Sequence, residues 1–186
     1  MKKFIKIIYL IIITFPLLFL NLAKASEKLK IGILAPMTGP NKNLGESIIK
    51  SIRLAIKDIN SNLIEVIPKD TSSSPEKTLQ SANELKEMGV RIVIGPIFYE
   101  NLIYLDEIDD LTFLSLTNKT LDLPKNVISA GVNSTSQLKT INKFLKETNI
   151  NRTIFLTPIQ DYEFEIKKGI QNSKIKIFKN YDYNIE

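Results

Sequence analysis

Seven short apolar runs, separated by longer amphipathic stretches, constrain this 186-residue chain more than any other feature. The runs are Lys30–Leu34, Ile64–Ile67, Ile92–Ile94, Thr112–Leu114, Val127–Ala130, Thr153–Leu156 and Ile175–Phe178. Most are continuous Ile, Val, Leu and Phe rather than alternating, the pattern of strands buried on both faces of a parallel sheet. The stretches between them have helical spacing. In Leu44–Asn60, Leu44, Ile48, Ile52, Ile56 and Ile59 recur every three or four positions and predict the buried stripe. A second helix is expected after Ser74, with Ser74 as N-cap, Pro75 at its first position and Glu76 in the positive first turn. Its stripe is Leu79, Ala82 and Leu85, and Gly89 stands where a left-handed residue closes a helix. A later helix opens with Ser134-x-x-Gln137, a capping-box spacing, and would bury Leu138, Ile141 and Leu145. Strands alternating with helices make an α/β fold, a doubly wound parallel sheet.

Composition narrows the chemistry. The chain contains no His and no Cys, so it has no thiol nucleophile, no disulfide, no imidazole base and no imidazole metal ligand. The expectation is a non-enzyme without cofactor, metal or catalytic residues. The net charge of +5 is concentrated at one end. Four of the 25 basic residues, Lys2, Lys3, Lys6 and Lys24, lie in the first 25 positions, which hold no acid; 21 basic side chains then face 20 acidic ones. A near-neutral remainder has no clustered basic face for nucleic acid.

Those first residues read as an address. A basic start, Met1–Lys6, precedes an almost unbroken apolar run, Ile7–Leu20, and then Ala23-Lys24-Ala25. Small residues at Ala23 and Ala25 are the pattern a signal peptidase cleaves, with Ser26 as the new N-terminus. The run is shorter than the roughly 20 apolar residues a membrane span needs. Export to the periplasm is expected, with contact to the membrane only through the leader.

Other motifs are weak. Gly39 and Gly45 enclose five residues where a phosphate loop has four, and Glu46 stands in place of its lysine. Asp106, Glu107, Asp109 and Asp110, read as a helix end, are nearly consecutive and would point apart rather than at one ion. The loops Pro36–Asn43, Gly95–Glu100 and Ser115–Thr120 are better placed, because ligands of open α/β sheets bind beyond the carboxyl ends of strands. After Ile150 the chain makes one strand, one helix (about Tyr162–Gln171) and one strand. A single unit of that kind leaves both sheet edges and much apolar surface uncovered.

The order of these segments resembles the leucine/isoleucine/valine-binding proteins, the type I periplasmic binding fold. The likeness runs through Lys30-Ile-Gly-Ile-Leu-Ala-Pro-Met-Thr-Gly-Pro40, Leu44-Gly45-Glu46, Asp58-Ile59-Asn60, Asp70, Ser74-Pro75-Glu76-Lys77, Gly89-Val90 and Val93-Ile94-Gly95-Pro96. It implies a two-lobed extracytoplasmic receptor that closes on a small ligand, such as an amino acid or amide, and passes it to an ABC transporter permease. Residues 1–25 would be the signal peptide, 26–140 the first lobe and 141–186 the start of a second, truncated lobe. The implied ligand residues are Thr38 in the first loop, Tyr99 after Gly95-Pro96, then Ser115, Thr117 and Asn118 where the family has Ser-Pro-Ala-x-Thr, and Tyr162 at a Tyr-Gly position of the second lobe. Tyr99, Lys119 and Glu163 depart from the family pattern.

Two segments are similar to a related branch, the penicillin-binding-protein activators. Gly95-Pro96-Ile97-Phe98 resembles that branch's Gly-Pro-Leu-Phe, and Leu114-Ser115-Leu116-Thr117-Asn118 its Phe-Ser-Asn loop. That likeness implies a peptidoglycan synthase as partner instead of a transported solute. Both readings stand on sequence.

Overall fold

The computed structural model describes residues 28–159 and 162–184; the leader, with Ala23 and Ala25, lies outside them. In chain order the elements are β1 (Leu29–Ala35), α1 (Lys42–Ile59), β2 (Ile64–Asp70), α2 (Pro75–Glu87) and β3 (Ile92–Ile94). Then follow β4 (Thr112–Ser115), β5 (Val127–Ser129), α3 (Ser134–Glu147), β6 (Ile154–Pro158), α4 (Glu163–Ser173) and β7 (Lys179–Tyr183). Five strands form a parallel sheet in the order β2-β1-β3-β4-β5, and β6 pairs with β7, also parallel, in a second sheet.

Register sorts the side chains. Ile31 pairs with Val66 and Ile92, and Ile94 with Leu114, so these residues share one face with Ile33 and Ile128. Gly32, Leu34, Ile67, Val93, Phe113 and Val127 share the other. The second face is the core. Phe113 and Val93 are fully buried there against Ala82 and Leu85 of α2. Between β3 and β4, Leu102, Leu105, Ile108 and Leu111 complete the cover, each at most 2% exposed. Their spacing of three is the repeat of a 3-10 helix, and the segment forms two such turns, Tyr99–Leu102 and Leu105–Glu107. Asp106 and Glu107 therefore end a short 3-10 turn and not an α-helix; Leu102 and Leu105 lie in the two turns, and Ile108 and Leu111 in the stretch that follows, where Ile108 is extended.

The first face is covered at β1 and β2 by α1, through Ile49 against Ile33 and Ala35. The middle of the expected stripe of α1 holds, with Ile48, Ile52 and Ile56 half-buried, and its two ends do not. Gly45 and Ile49 are buried, while Leu44 and Ile59 are exposed. At the first turn Gly45, and not Leu44, meets the sheet: an added Cβ would stand 1.8 Å from the Pro36 carbonyl oxygen, so only glycine lets the helix rest on that strand end. α2 follows its sequence signals, with the Ser74 side chain accepting the Lys77 N–H at 3.3 Å and Gly89 at φ 78°.

Two local expectations change. The N-cap of α3 is Asn133, which accepts the Ser136 N–H at 2.9 Å. Ser134 lies one position inside the helix, buried, and donates to the Glu165 carbonyl at 2.6 Å, since a buried hydroxyl needs a partner and α4 supplies one. The last strand is Lys179–Tyr183, not Ile175–Phe178. Ile175 is buried, and the chain reaches the edge of β6 only at Phe178, whose N–H bonds to the Thr153 carbonyl.

Replacing Gly45 by Ala is expected to cost about 3 kcal/mol through overpacking against backbone that cannot yield. A urea-denaturation midpoint close to that of the unaltered chain would show that α1 can lift off Pro36.

Candidate functional site

In the strand order β2-β1-β3, the connection from β1 turns to one side and the rest of the sheet grows to the other. The crevice beyond the carboxyl ends of β1 and β3 is the place where such sheets bind ligands. Three loops meet near it: residues 36–41 after β1, 95–98 after β3 and 116–126 after β4.

The first loop is organised by Asp70 at the end of β2. One carboxylate oxygen accepts the N–H groups of Met37 at 2.7 Å, Thr38 at 3.3 Å and Ser72 at 2.9 Å. The other accepts the hydroxyls of Thr38 at 2.6 Å and Ser72 at 2.9 Å. Burial pushes the Asp70 carboxyl upward, but the hydroxyl and N–H donors of Thr38, Ser72 and Met37 outweigh it and hold the group well below its ordinary value. The Thr38 hydroxyl is thus already engaged, with Ser72 as a second neighbour at 2.7 Å.

The second and third loops are tied together by Ser115. It is fully buried, donates to the Pro96 carbonyl at 2.8 Å and accepts the Thr117 N–H at 3.3 Å. Thr117, also buried, accepts the Lys119 N–H at 3.2 Å, and its carbonyl accepts the Ser129 hydroxyl at 2.9 Å. Both residues frame the loop from within. Beside that frame lies a cavity of about 400 Å³ lined by Ile97, Phe98, Tyr99, Thr117, Asn118 and Lys119 among others. The Lys119 ammonium sits 4.2 Å from the Tyr99 ring centroid, a cation–π distance. Tyr162, ahead of α4, faces the same loop and donates its hydroxyl to the Asn118 carbonyl at 3.1 Å. Of the sequence-predicted residues, then, Tyr99, Thr117 and Asn118 line one hollow, with Tyr162 bonded to its rim. Ser115 is buried beneath, and Thr38 stands apart in the Asp70 cluster.

The sequence reading missed Glu165. It is 4% exposed. One carboxylate oxygen accepts the Thr120 N–H at 2.5 Å and the Leu121 N–H at 2.7 Å; the other accepts the Thr120 hydroxyl at 2.7 Å. Burial raises this carboxyl, yet the Thr120 hydroxyl, the two N–H groups and the charge of Lys168 together lower it below the ordinary value. The Tyr162 phenol moves up, through burial and the nearby Glu165 charge. In sequence, Glu163 and Glu165 read only as acids in a first helical turn. Nothing there pairs position 165 with position 120. A second cavity, about 430 Å³, opens where they meet and is lined by Tyr99, Lys119, Leu121, Asp122, Phe164 and Glu165. Among the described residues no group of three or more acidic side chains is arranged to hold a metal ion.

Residues 28–178 match the family model described as periplasmic binding protein. The chain belongs to that family. A Leu/Ile/Val-binding protein, BraC3, of Rhizobium johnstonii is 29% identical over 81 residues, covering 39% of this chain and 22% of that protein. A thioredoxin reductase of Mycoplasma genitalium is 34% identical over 101 residues, 53% of this chain and 30% of that protein; the present chain has no cysteine. Among solved structures, full-length LpoA from Haemophilus influenzae superposes with a TM-score of 0.67 at 18% identity, over 86% of this chain and 30% of that one. The leucine-binding protein LivK of Thermotoga maritima gives 0.55 at 17%, over 85% and 49%. At such identities the structures show the shared fold, the type I lobe expected from sequence. The chain spans less than a third of the length of the two curated relatives and no more than about half of these solved chains.

Asp70→Asn is expected to lower stability at neutral pH by about 1–2 kcal/mol, the worth of charge-assisted hydrogen bonds at a partly exposed site. Because the folded carboxyl is depressed, its contribution is full above the unfolded value near pH 4 and fades as pH falls through the folded one. Urea midpoints measured from pH 7 down to pH 2 should drop in the unaltered chain and stay flatter in the variant; parallel curves would count against the Asp70 network.

Proposed function

We propose that this chain is the ligand-binding part of a non-catalytic, extracytoplasmic solute-binding protein that takes up a small polar ligand for an ABC transporter. The observation that supports it most is the hollow of about 400 Å³ beyond β3 and β4, lined by Tyr99, Asn118 and Lys119 and rimmed by Tyr162. Its volume suits a small molecule, and its polar groups are few and convergent. The absence of His and Cys from the sequence leaves no nucleophile–base pair of the familiar kinds. Export rests on the leader at residues 1–25, with cleavage after Ala25. In this reading the first lobe is the five-stranded unit, and the second begins at α3. Because α3 runs unbroken from Ser134 to Glu147, we place the division just ahead of it rather than at residue 140.

A second reading has its own support. LpoA structures superpose with higher TM-scores than LivK, and the LpoA C-domain, described as a regulator of PBP1A, does so with 0.62 over 82% of this chain. In that reading the chain contacts a peptidoglycan synthase through its surface.

Calorimetric titration of the exported protein with amino acids, amides and short peptides separates them. Saturable one-site binding of a panel member is expected, weakened at least tenfold by Asn118→Ala or Tyr162→Phe if the hollow is the site. Silence across the panel, with a synthase retained under mild crosslinking, would reject the solute reading in favour of the regulator.

A further inference from the structure

The loop between β4 and β5 presents three donors in one place: the N–H groups of Thr120 and Leu121 and the Thr120 hydroxyl. They converge on both oxygens of one carboxylate, as a carboxylate receptor's donors would. Three bonds that shape the loop come from within the five-stranded unit: Ser115 to Pro96, Lys119 to Thr117, and Ser129 to the Thr117 carbonyl. A fourth comes from Tyr162, ahead of α4, to the Asn118 carbonyl, but the Thr120 and Leu121 donors themselves belong to the five-stranded unit. The cradle is therefore built by one unit and filled by a side chain of the next. Glu165 reaches it because α4 lies close on the start of α3, where a Cβ on Gly169 would come within 2.7 Å of the Ser134 hydroxyl oxygen. The Ser134 hydroxyl in turn donates to the Glu165 carbonyl. Beyond the carboxylate the cavity of about 430 Å³ continues past Lys119 and Tyr99.

We propose that Thr120 and Leu121 form a carboxylate-binding site which Glu165 occupies from within the chain, so that this side chain decides which ligands the cleft accepts. While α4 is docked, a free carboxylate has to displace a tethered one already held by three hydrogen bonds. Tethering gives Glu165 a high effective concentration at the cradle. Ligands without a carboxylate, or with it placed elsewhere, do not meet this competition. Removing the side chain converts the cleft to one that takes simple carboxylates.

The test is acetate, followed through the amide proton and nitrogen shifts of Thr120 and Leu121 in the full chain, with chloride at equal ionic strength as control. In Glu165→Ala those two amides should shift saturably with acetate and not with chloride. The apparent affinity should be at least tenfold above that of the unaltered chain. Glu165→Gln keeps the shape without the charge and should fall between the two. A native-like Glu165→Ala spectrum in which neither amide responds overturns the proposal, and so does an equal response in the unaltered chain. If Glu165→Ala loses its native spectrum, Glu165→Gln decides: acetate must shift the two amides more strongly than in the unaltered chain. Placing the cradle in the ligand cleft rests on the small-ligand reading, and the two fail separately. Silence across the solute panel leaves the acetate result intact, and an unresponsive cradle leaves solute binding at the Tyr99 hollow intact.

Discussion

A parallel sheet has to be covered on its faces, because its strands carry apolar side chains on both sides. In this chain that requirement decides where everything else goes. One face of the five-stranded sheet is closed by α2 and by the Leu102-Leu105-Ile108-Leu111 repeat, with Phe113 and Val93 fully buried beneath. The other is closed over β1 and β2 by α1, seated on Pro36 through Gly45. Farther along that face Ile92 and Ile128 stay exposed, and the loops after β1, β3 and β4 are left together at the carboxyl edge. Their backbone polar groups have no ladder partners there, and each loop meets that need with a side chain of its own or of a neighbour.

Those solutions shape the candidate site. Asp70 takes up the donors of the first loop, Ser115 joins the second to the third, and Glu165 takes up the donors of Thr120 and Leu121. Much of the polar chemistry that looks available in the sequence is therefore internal structure. The groups facing the hollow are an aromatic ring, an ammonium and an exposed amide: Tyr99, Lys119 and Asn118. In the proposed function, this set would meet a ligand through shape and a few polar contacts. A fold of this class serves both receptors and regulators, so membership of the periplasmic binding protein family fixes the architecture and leaves the ligand or partner to the site.

How much was legible in the sequence varied with the range of the interaction. Ser74, Pro75 and Gly89 marked the ends of α2 correctly because capping acts within a few residues. The strands up to β6 stood where the apolar runs were; burial accounts for that imprint in β1, whereas Ile154 and Leu156 of β6 are exposed. The errors arose where a distant partner intervened. Ser134 is a good N-cap by itself, but α4 claims its hydroxyl and Asn133 caps instead. Ile175–Phe178 has the composition of a strand, but Ile175 is buried and the pairing begins with Lys179. α1 begins its buried face at Gly45 and not at Leu44, because the Pro36 carbonyl lies where a Cβ would be.

The sequence by itself determined the α/β class, the order of strands and helices, and the lack of thiol and imidazole chemistry. Each depends on residue type and short-range spacing, which a sequence displays directly. It also carried the family likeness, through Lys30–Pro40 and Val93–Pro96. Only the tertiary structure decided which polar side chains remain free. Thr38 is held by a carboxylate 32 positions away, and Thr120 by one 45 positions away. Hydrogen bonds between residues so far apart form only once the sheet has gathered its loops and α4 has packed beside them. A candidate binding residue and an internal strut therefore look alike in sequence.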